Sequence, residues 1–294
     1  MIRSQSGFFS VQTKKGVLVC KLRGRLKQGI REGDLAAIGD QVTVTKIRDS
    51  EGVIESVEER QRMISRMAPL PRGEYEQIII ANPDQIVLVF ACAQPEPRLR
   101  MLDRFLIISE HQTIPAVIVA NKTDLVTDDE AHLLFNHYKD IGYSLIYSSV
   151  PEKRGIEQLR EKLAGKISAL AGPSGAGKSS LLNAIQPGLG LSIQNVSQTT
   201  GKGKHTTVSS ELYPLKDGGY VADTPGMKAL ALWDIEPEEL DGYFPDISQF
   251  VAQCQFSNCT HVHEPGCAVL EAVETGNIHP QRYDSYLRLR FEEQ

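Results

Sequence analysis

The 294-residue chain is short of aromatic residues, at 6% with a single tryptophan, and it has no excess of positive charge. Its 32 Lys and Arg stand against 37 Asp and Glu, a net of −5. Taken whole, that balance argues against a protein dedicated to nucleic acid. No apolar run approaches the roughly 18 residues of a membrane span. The segment Met1-Ile2-Arg3-Ser4-Gln5-Ser6-Gly7-Phe8 lacks the apolar core of a signal peptide. No membrane partner is expected, and the protein is expected to be cytoplasmic and monomeric. Cysteine is scarce too: five residues, an odd number and a poor disulfide framework. Cys20 and Cys92 adjoin apolar strand-like runs, where simple burial is expected. A hydrophobic content of 41% excludes wholesale disorder.

What is present is unevenly distributed. Residues 1–72 hold 14 basic and 8 acidic residues, residues 73–232 hold 15 and 17, and residues 233–294 hold 3 and 12. The corresponding net charges, +6, −2 and −9, suggest that the N-terminal end meets a polyanion. Three domains are expected, over 1–72, 73–230 and 231–294. The first shows short runs rich in β-branched and aromatic residues, such as Gly16–Leu22 and Gly52–Val57, separated by Gly and Asp breaks. About five such strands suit an N-terminal β-barrel of the OB type, although an SH3-like barrel has the same local signature. The basic, Gly-punctuated stretch Lys21 to Arg31, with Arg23, Arg25 and Lys27, reads as a loop for RNA phosphates. The second domain alternates near-continuous apolar strands (Gln85–Ala91, Ala116–Ala120, Leu145–Tyr147, Ile167–Ala171, Gly219–Asp223) with helical stretches such as Arg100–Gln112. That pattern indicates an α/β domain with a mostly parallel sheet.

Four motifs carry chemistry in this domain. Gly172-Pro173-Ser174-Gly175-Ala176-Gly177-Lys178-Ser179-Ser180 matches the phosphate loop G-x-x-x-x-G-K-[ST], between an apolar strand and a helical run. Its glycines let backbone N–H groups converge on phosphates at the positive end of a helix. Lys178 is expected to bridge the β- and γ-phosphates, and Ser179 to hold Mg²⁺. Asp223-Thr224-Pro225-Gly226 follows a strand; Asp223 suits the Mg²⁺ side, and the Gly226 N–H suits the γ-phosphate. Asn121-Lys122-Thr123-Asp124 matches the N-K-x-D guanine reader. There an Asp accepts hydrogen bonds from guanine N1–H and its amine, which adenine cannot donate. Ser148 and Ser149, after the next strand, are placed to meet the guanine carbonyl. Gly201-Lys202-Gly203-Lys204-His205-Thr206-Thr207 has the composition of a mobile switch; Thr206 or Thr207 would complete Mg²⁺ coordination. Met227 stands where many GTPases carry a water-orienting Gln, and a thioether cannot do that work, so His205 becomes the catalytic candidate. The guanine reader precedes the phosphate loop, the reverse of the usual order. A circular permutation accounts for this, since neighbouring termini make permutation tolerable.

The third domain is expected to be mainly helical. Cys254, Cys259, His261 and Cys267 offer three thiolates and one imidazole, a closed set of the softness that structural Zn²⁺ prefers, with His263 as a lesser competitor. A sixty-residue unit has little core of its own, so a metal staple makes physical sense.

Together with Leu102-Asp103-Arg104-Phe105, these motifs resemble one family over essentially the whole chain: the circularly permuted GTPases that mature the bacterial small ribosomal subunit, of the RsgA or YjeQ type. The resemblance implies an OB-fold, a permuted GTPase domain and a zinc-binding C-terminal domain. It also implies GTP hydrolysis to GDP stimulated by the small subunit and its rRNA, and a switch His, here His205, acting beside a hydrophobic residue, here Met227. Two rivals remain: a GTP-dependent RNA-binding module whose hydrolysis is incidental, and a metabolic phosphotransferase using the same phosphate loop.

Overall fold

A computed structural model describes residues 1–27, 35–67, 76–190, 210–223 and 235–291. The N-terminal strands are β1 (Arg3–Gln5), β2 (Phe8–Thr13), β3 (Gly16–Leu22), β4 (Val42–Lys46) and β5 (Glu51–Val57). They pair in the order β1-β2-β3-β5-β4, with β3 and β5 parallel and the other pairs antiparallel. That parallel pair is not a hairpin: β4 comes between its strands in the chain and pairs on the far side of β5. The result is a partly open, five-stranded barrel of the OB type rather than an SH3-like one. Alternate side chains Phe9, Val11, Cys20 and Ile54 fill its interior with Ala36. Cys20 is therefore plainly buried, and so is Cys92.

Two strands follow that the sequence did not advertise, β6 (Met63–Met67) and β7 (Glu76–Ala81), paired as an antiparallel hairpin. The expected boundary at 72–73 falls between them. Ile64 and Ile80 of this hairpin join the core of the α/β domain rather than that of the barrel.

The α/β sheet contains β8 (Gln85–Ala91), β9 (Ala116–Asn121), β10 (Ser144–Ser148), β11 (Ile167–Ala171), β12 (Ser210–Pro214) and β13 (Tyr220–Asp223). Their order is β10-β9-β8-β11-β13-β12, parallel except for β12. Strand β1 of the barrel pairs with β12, so barrel and α/β sheets form one continuous ladder. Helices α1 (Leu99–His111) and α2 (Asp128–Ile141) cover one face, and α3 (Ile156–Leu163) and α4 (Lys178–Ile185) the other. Strand β8 is buried along its whole length: Ile86, Leu88 and Phe90 pack toward α1 and α2, Val87 and Val89 toward α3 and α4. Two-sided burial explains its unbroken apolar run. Connections leaving β8 and β11 run to opposite faces, so the two central strands flank a topological switch point.

The C-terminal unit begins with a 3₁₀ turn (Pro237–Tyr243), then α5 (Pro245–Val251), α6 (Ala268–Glu274) and α7 (Pro280–Phe291). Its core, including Leu240, Phe244, Ile247, Val269 and Tyr286, takes in Ile107 of α1, so the unit is seated on the α/β domain. Among the described residues no helix is long and apolar enough to cross a membrane.

Candidate functional site

All five parallel strands end at one edge of the sheet, which gathers motifs that lie far apart in the chain. The phosphate loop leaves β11, the guanine reader β9, Ser148 and Ser149 β10, and Asp223 closes β13 beside Leu170 of β11. The loop's path demands glycine. Gly172 (φ 137°) passes so close to Val89 O that a Cβ there would collide with it, and Gly177 (φ 95°) does the same against Asn121 Nδ2. Ser174 and Gly175 are exposed, whereas Ala176 is buried beneath them. Gly177 caps α4, whose first N–H groups therefore face the hollow of the loop. Lys178 folds back, its Nζ donating to Gly172 O at 2.7 Å and Pro173 O at 2.9 Å, so its charge lies over the loop. Ser179 and Ser180 follow in the first turn of α4.

Asn121 joins the two motifs. Its Nδ2 donates to Ala176 O at 2.8 Å, and its Oδ1 accepts from Ser148 Oγ at 3.0 Å, in a buried position. Lys122 takes a left-handed conformation (φ 62°), and its ammonium donates to Gln94 O. Thr123 Oγ1 donates to Ser148 O at 3.3 Å. Asp124 is exposed, one oxygen accepting from Ser149 Oγ at 2.6 Å, so its carboxylate is oriented yet open to a ligand. Ser148 thus steadies Asn121 while Ser149 aims Asp124, a division of labour that strand pattern alone could not supply. The 92–98 loop backs this arrangement. Cys92 N donates to Asn121 O at 2.8 Å, and a Cβ on Gly175 would meet Pro95 Cδ at 3.4 Å. Burial, with Asp124 adding to it against Arg154, pushes the Cys92 thiol up to about 11, which makes it inert at neutral pH.

Asp223 is placed as the last residue of β13. His205, Thr206, Thr207, Gly226 and Met227 lie outside the described residues, as does Arg31. Of the expected RNA contacts, Lys21 is an exposed residue of β3 with Nζ 4.7 Å over the Phe8 ring. Arg23 is exposed and pairs with Glu55 at 2.6 Å. Arg25 and Lys27 fall in the 3₁₀ turn Gly24–Lys27.

In the C-terminal unit, one donor atom from each of Cys254, Cys259, His261 and Cys267 lies within 4.8 Å of the others. A tetrahedral cation with bonds of about 2.3 Å to sulfur and about 2.0 Å to nitrogen implies edges of roughly 3.8 Å for S···S and roughly 3.5 Å for S···N. Cys254 Sγ stands 3.9 Å from Cys267 Sγ, and His261 Nδ1 stands 3.6 Å and 3.4 Å from those sulfurs, which fits. His261 is fully buried and turns Nε2 to Asp241 Oδ2 at 3.1 Å. That carboxylate selects the tautomer leaving Nδ1 free to ligate. His263 is exposed and stays out of the cluster. Glu264 organises the loop by accepting from Thr260 N at 2.7 Å, Val262 N at 3.0 Å and His263 N at 3.1 Å. Burial opposes ionisation of Glu264, but a bond from the Thr260 hydroxyl and these backbone bonds outweigh it and hold the carboxyl well below its usual range. Burial pushes the Cys259 thiol up to about 12, and the neighbouring thiols add to this; a bound cation reverses that logic and takes thiolates.

Residues 57–233 match the RsgA GTPase family, and residues 1–54 match the RsgA N-terminal domain. The small ribosomal subunit biogenesis GTPase RsgA of Gemmatimonas aurantiaca is 42% identical, with 99% of this chain and 96% of that protein covered. The protein of the same name from Moorella thermoacetica is also 42% identical, over 98% and 94%. The crystal structure of YjeQ from Thermotoga maritima superposes with a TM-score of 0.78 at 37% identity, covering 99% of this chain and 98% of that one. YloQ, a circularly permuted GTPase, gives 0.74 at 34% identity, over 99% and 93%. With phosphate loop, guanine reader and Cys3His cluster in one permuted frame, the chain belongs to the RsgA GTPase family.

Proposed function

We propose that this chain is a GTPase of small ribosomal subunit biogenesis, which binds the subunit and hydrolyses GTP to GDP and phosphate with stimulation by it. The observation that supports the reading is the Asn121 bridge, which ties the Asn121–Asp124 segment to the 172–180 loop at one sheet edge. Asp124 accepts from the guanine, with Ser149 orienting it. Gly172 to Ser180 wrap the phosphates, and Lys178 neutralises charge developing between the β- and γ-phosphates. In hydrolysis a water attacks the γ-phosphorus and the bond to the β-phosphate oxygen breaks. His205 orients that water, and the Gly226 N–H meets the γ-phosphate. Ser179, Asp223 and Thr206 or Thr207 would hold Mg²⁺, which supplies charge neutralisation at the phosphates. Cys254, Cys259, His261 and Cys267 would hold one structural Zn²⁺, all four positions being filled by protein donors.

The barrel, with Lys21, Arg23, Arg25, Lys27 and Arg31, meets rRNA, while the −9 unit cannot attract phosphates by bulk charge. The protein works in the cytoplasm as a monomer. The test is GTP and ATP hydrolysis with and without purified small subunits, alongside co-sedimentation with a GTP analogue or GDP. Stimulated, GTP-selective turnover with retention in the GTP-like state is expected. Equal ATP turnover, or no stimulation, refutes the reading.

A further inference from the structure

The largest fully buried side chain in the described molecule is that of Arg282, on α7. Its Nη1 donates to Asp103 Oδ1 at 2.6 Å, and its Nη2 and Nε donate to Asp246 at 2.8 and 3.2 Å. Its guanidinium lies 4.4 Å from the Phe244 ring centre and 5.7 Å from that of Tyr138. Tyr138 of α2 donates to the same Asp103 Oδ1 at 2.8 Å. One cation of the C-terminal unit thus grips both helices on one face of the α/β sheet. A buried ion pair is weak evidence for stability, and in some proteins such pairs are retained because they fix one arrangement. The arrangement here is visible. Asp103 lies four residues, about 6 Å of helical rise, from Leu99, the first residue of α1. Upstream is the 92–98 loop, which takes the Lys122 ammonium on Gln94 O, bonds Asn121 through Cys92 N, and packs Pro95 against the phosphate loop. Asp246, by contrast, belongs to α5 of the C-terminal unit itself, and among the described residues its carboxylate bonds Arg282 and no residue of the nucleotide site.

We propose that Arg282 and Asp103 are positioning residues for the guanine-nucleotide site: seated by the metal-binding unit, Arg282 fixes the start of α1, and with it the 92–98 loop on which the guanine reader and phosphate loop rest. This rests on the GTP-binding reading above. Two isosteric variants separate positioning from stability. Asp103→Asn and Asp246→Asn each remove one buried charge from the same guanidinium. GDP affinity is measured by titration of full-length protein with a fluorescent GDP analogue, together with zinc content and GTP turnover. Asp103→Asn is expected to weaken GDP binding at least fivefold and to raise KM while leaving kcat and zinc content unchanged. Asp246→Asn stays within twofold of the wild type in affinity. Equal losses in both, no loss in either, or a loss in Asp246→Asn alone overturns the proposal. If Asp103→Asn does not fold, Tyr138→Phe, which removes only the hydroxyl on Asp103, decides: weaker GDP binding supports the assignment, unchanged binding overturns it. Wild-type protein that fails to bind GDP at all refutes the GTP-binding reading instead.

Discussion

Asn121 is the position where a single side chain bears on both halves of the nucleotide site. Asn121→Ala removes the bond to Ala176 O at 2.8 Å and the bond from Ser148 Oγ at 3.0 Å. Each bond contributes about 1 kcal/mol net, and each partner left buried without a replacement costs about 1–3 kcal/mol. The substitution leaves the Ala176 carbonyl, held in the loop, without this donor, and the buried Ser148 hydroxyl without this acceptor. A stability loss of about 2–3 kcal/mol follows, or roughly 5–10 °C in Tm for a cooperative unit of this size. The phosphate loop also loses its tie to β9, so part of its ordering must occur when nucleotide binds. We expect GDP affinity to fall about tenfold, equivalent to roughly 1.4 kcal/mol. Thermal melts with and without GDP, and titration with a fluorescent GDP analogue, measure the two quantities separately. A variant within about 0.5 kcal/mol of the wild type, the scatter of a neutral surface substitution, and binding GDP within about twofold would refute the role given to Asn121: the bridge would organise neither the fold nor the site.

Gly172→Ala forces a Cβ onto Val89 O at a φ of 137° and should abolish nucleotide-dependent thermal stabilisation; retained GDP binding contradicts the close approach. Cys259→Ser removes one of four ligands, so metal analysis should find well under one equivalent of zinc per chain, with the C-terminal unit opened to protease. Full zinc with wild-type protection refutes the ligand set. His137 has no hydrogen-bond partner for either ring nitrogen and stacks on His279 at 4.2 Å. Burial, and then the His279 and Arg282 charges, hold it at about 3, with Asp246 opposing. Unfolded His takes up a proton near pH 6.5 while the folded site does not, so this contribution is complete above that pH and is lost as pH falls toward 3. Discounted for partial solvent access, wild type should lose about 1 kcal/mol more than His137→Phe between about pH 7 and pH 5 in urea melts. Parallel pH profiles refute that sign. Asp124→Asn offers a donor where guanine presents its own donors, so preference should move from guanosine to xanthosine nucleotides; unchanged selectivity in a competition assay excludes Asp124 as the reader.

Strands β8, β9 and β11 were legible because two-sided burial writes itself as an unbroken apolar run. The phosphate loop was legible because its backbone path admits only glycine at fixed spacing. The Cys3His cluster was legible because three thiols and an imidazole fall within fourteen residues, a density of soft donors that suits a structural cation. All of these are local demands, met within a short stretch of chain. The parallel pairing of β3 with β5 that distinguishes an OB barrel, the β6–β7 hairpin across the expected boundary, and the ladder from β1 to β12 depend on which edges meet. Apolar alternation is the same for either outcome. Asp103 and Arg282, 179 positions apart, look from composition like two surface charges. Only the packing of α7 against α1 and α2 strips their water and turns them into a buried pair, because desolvation is a property of the assembled interior and not of the residue. The same holds for Asn121, Ser148 and Ser149. Their types were readable at strand ends, but which hydroxyl steadies Asn121 and which aims Asp124 was decided by the register of β10 on β9.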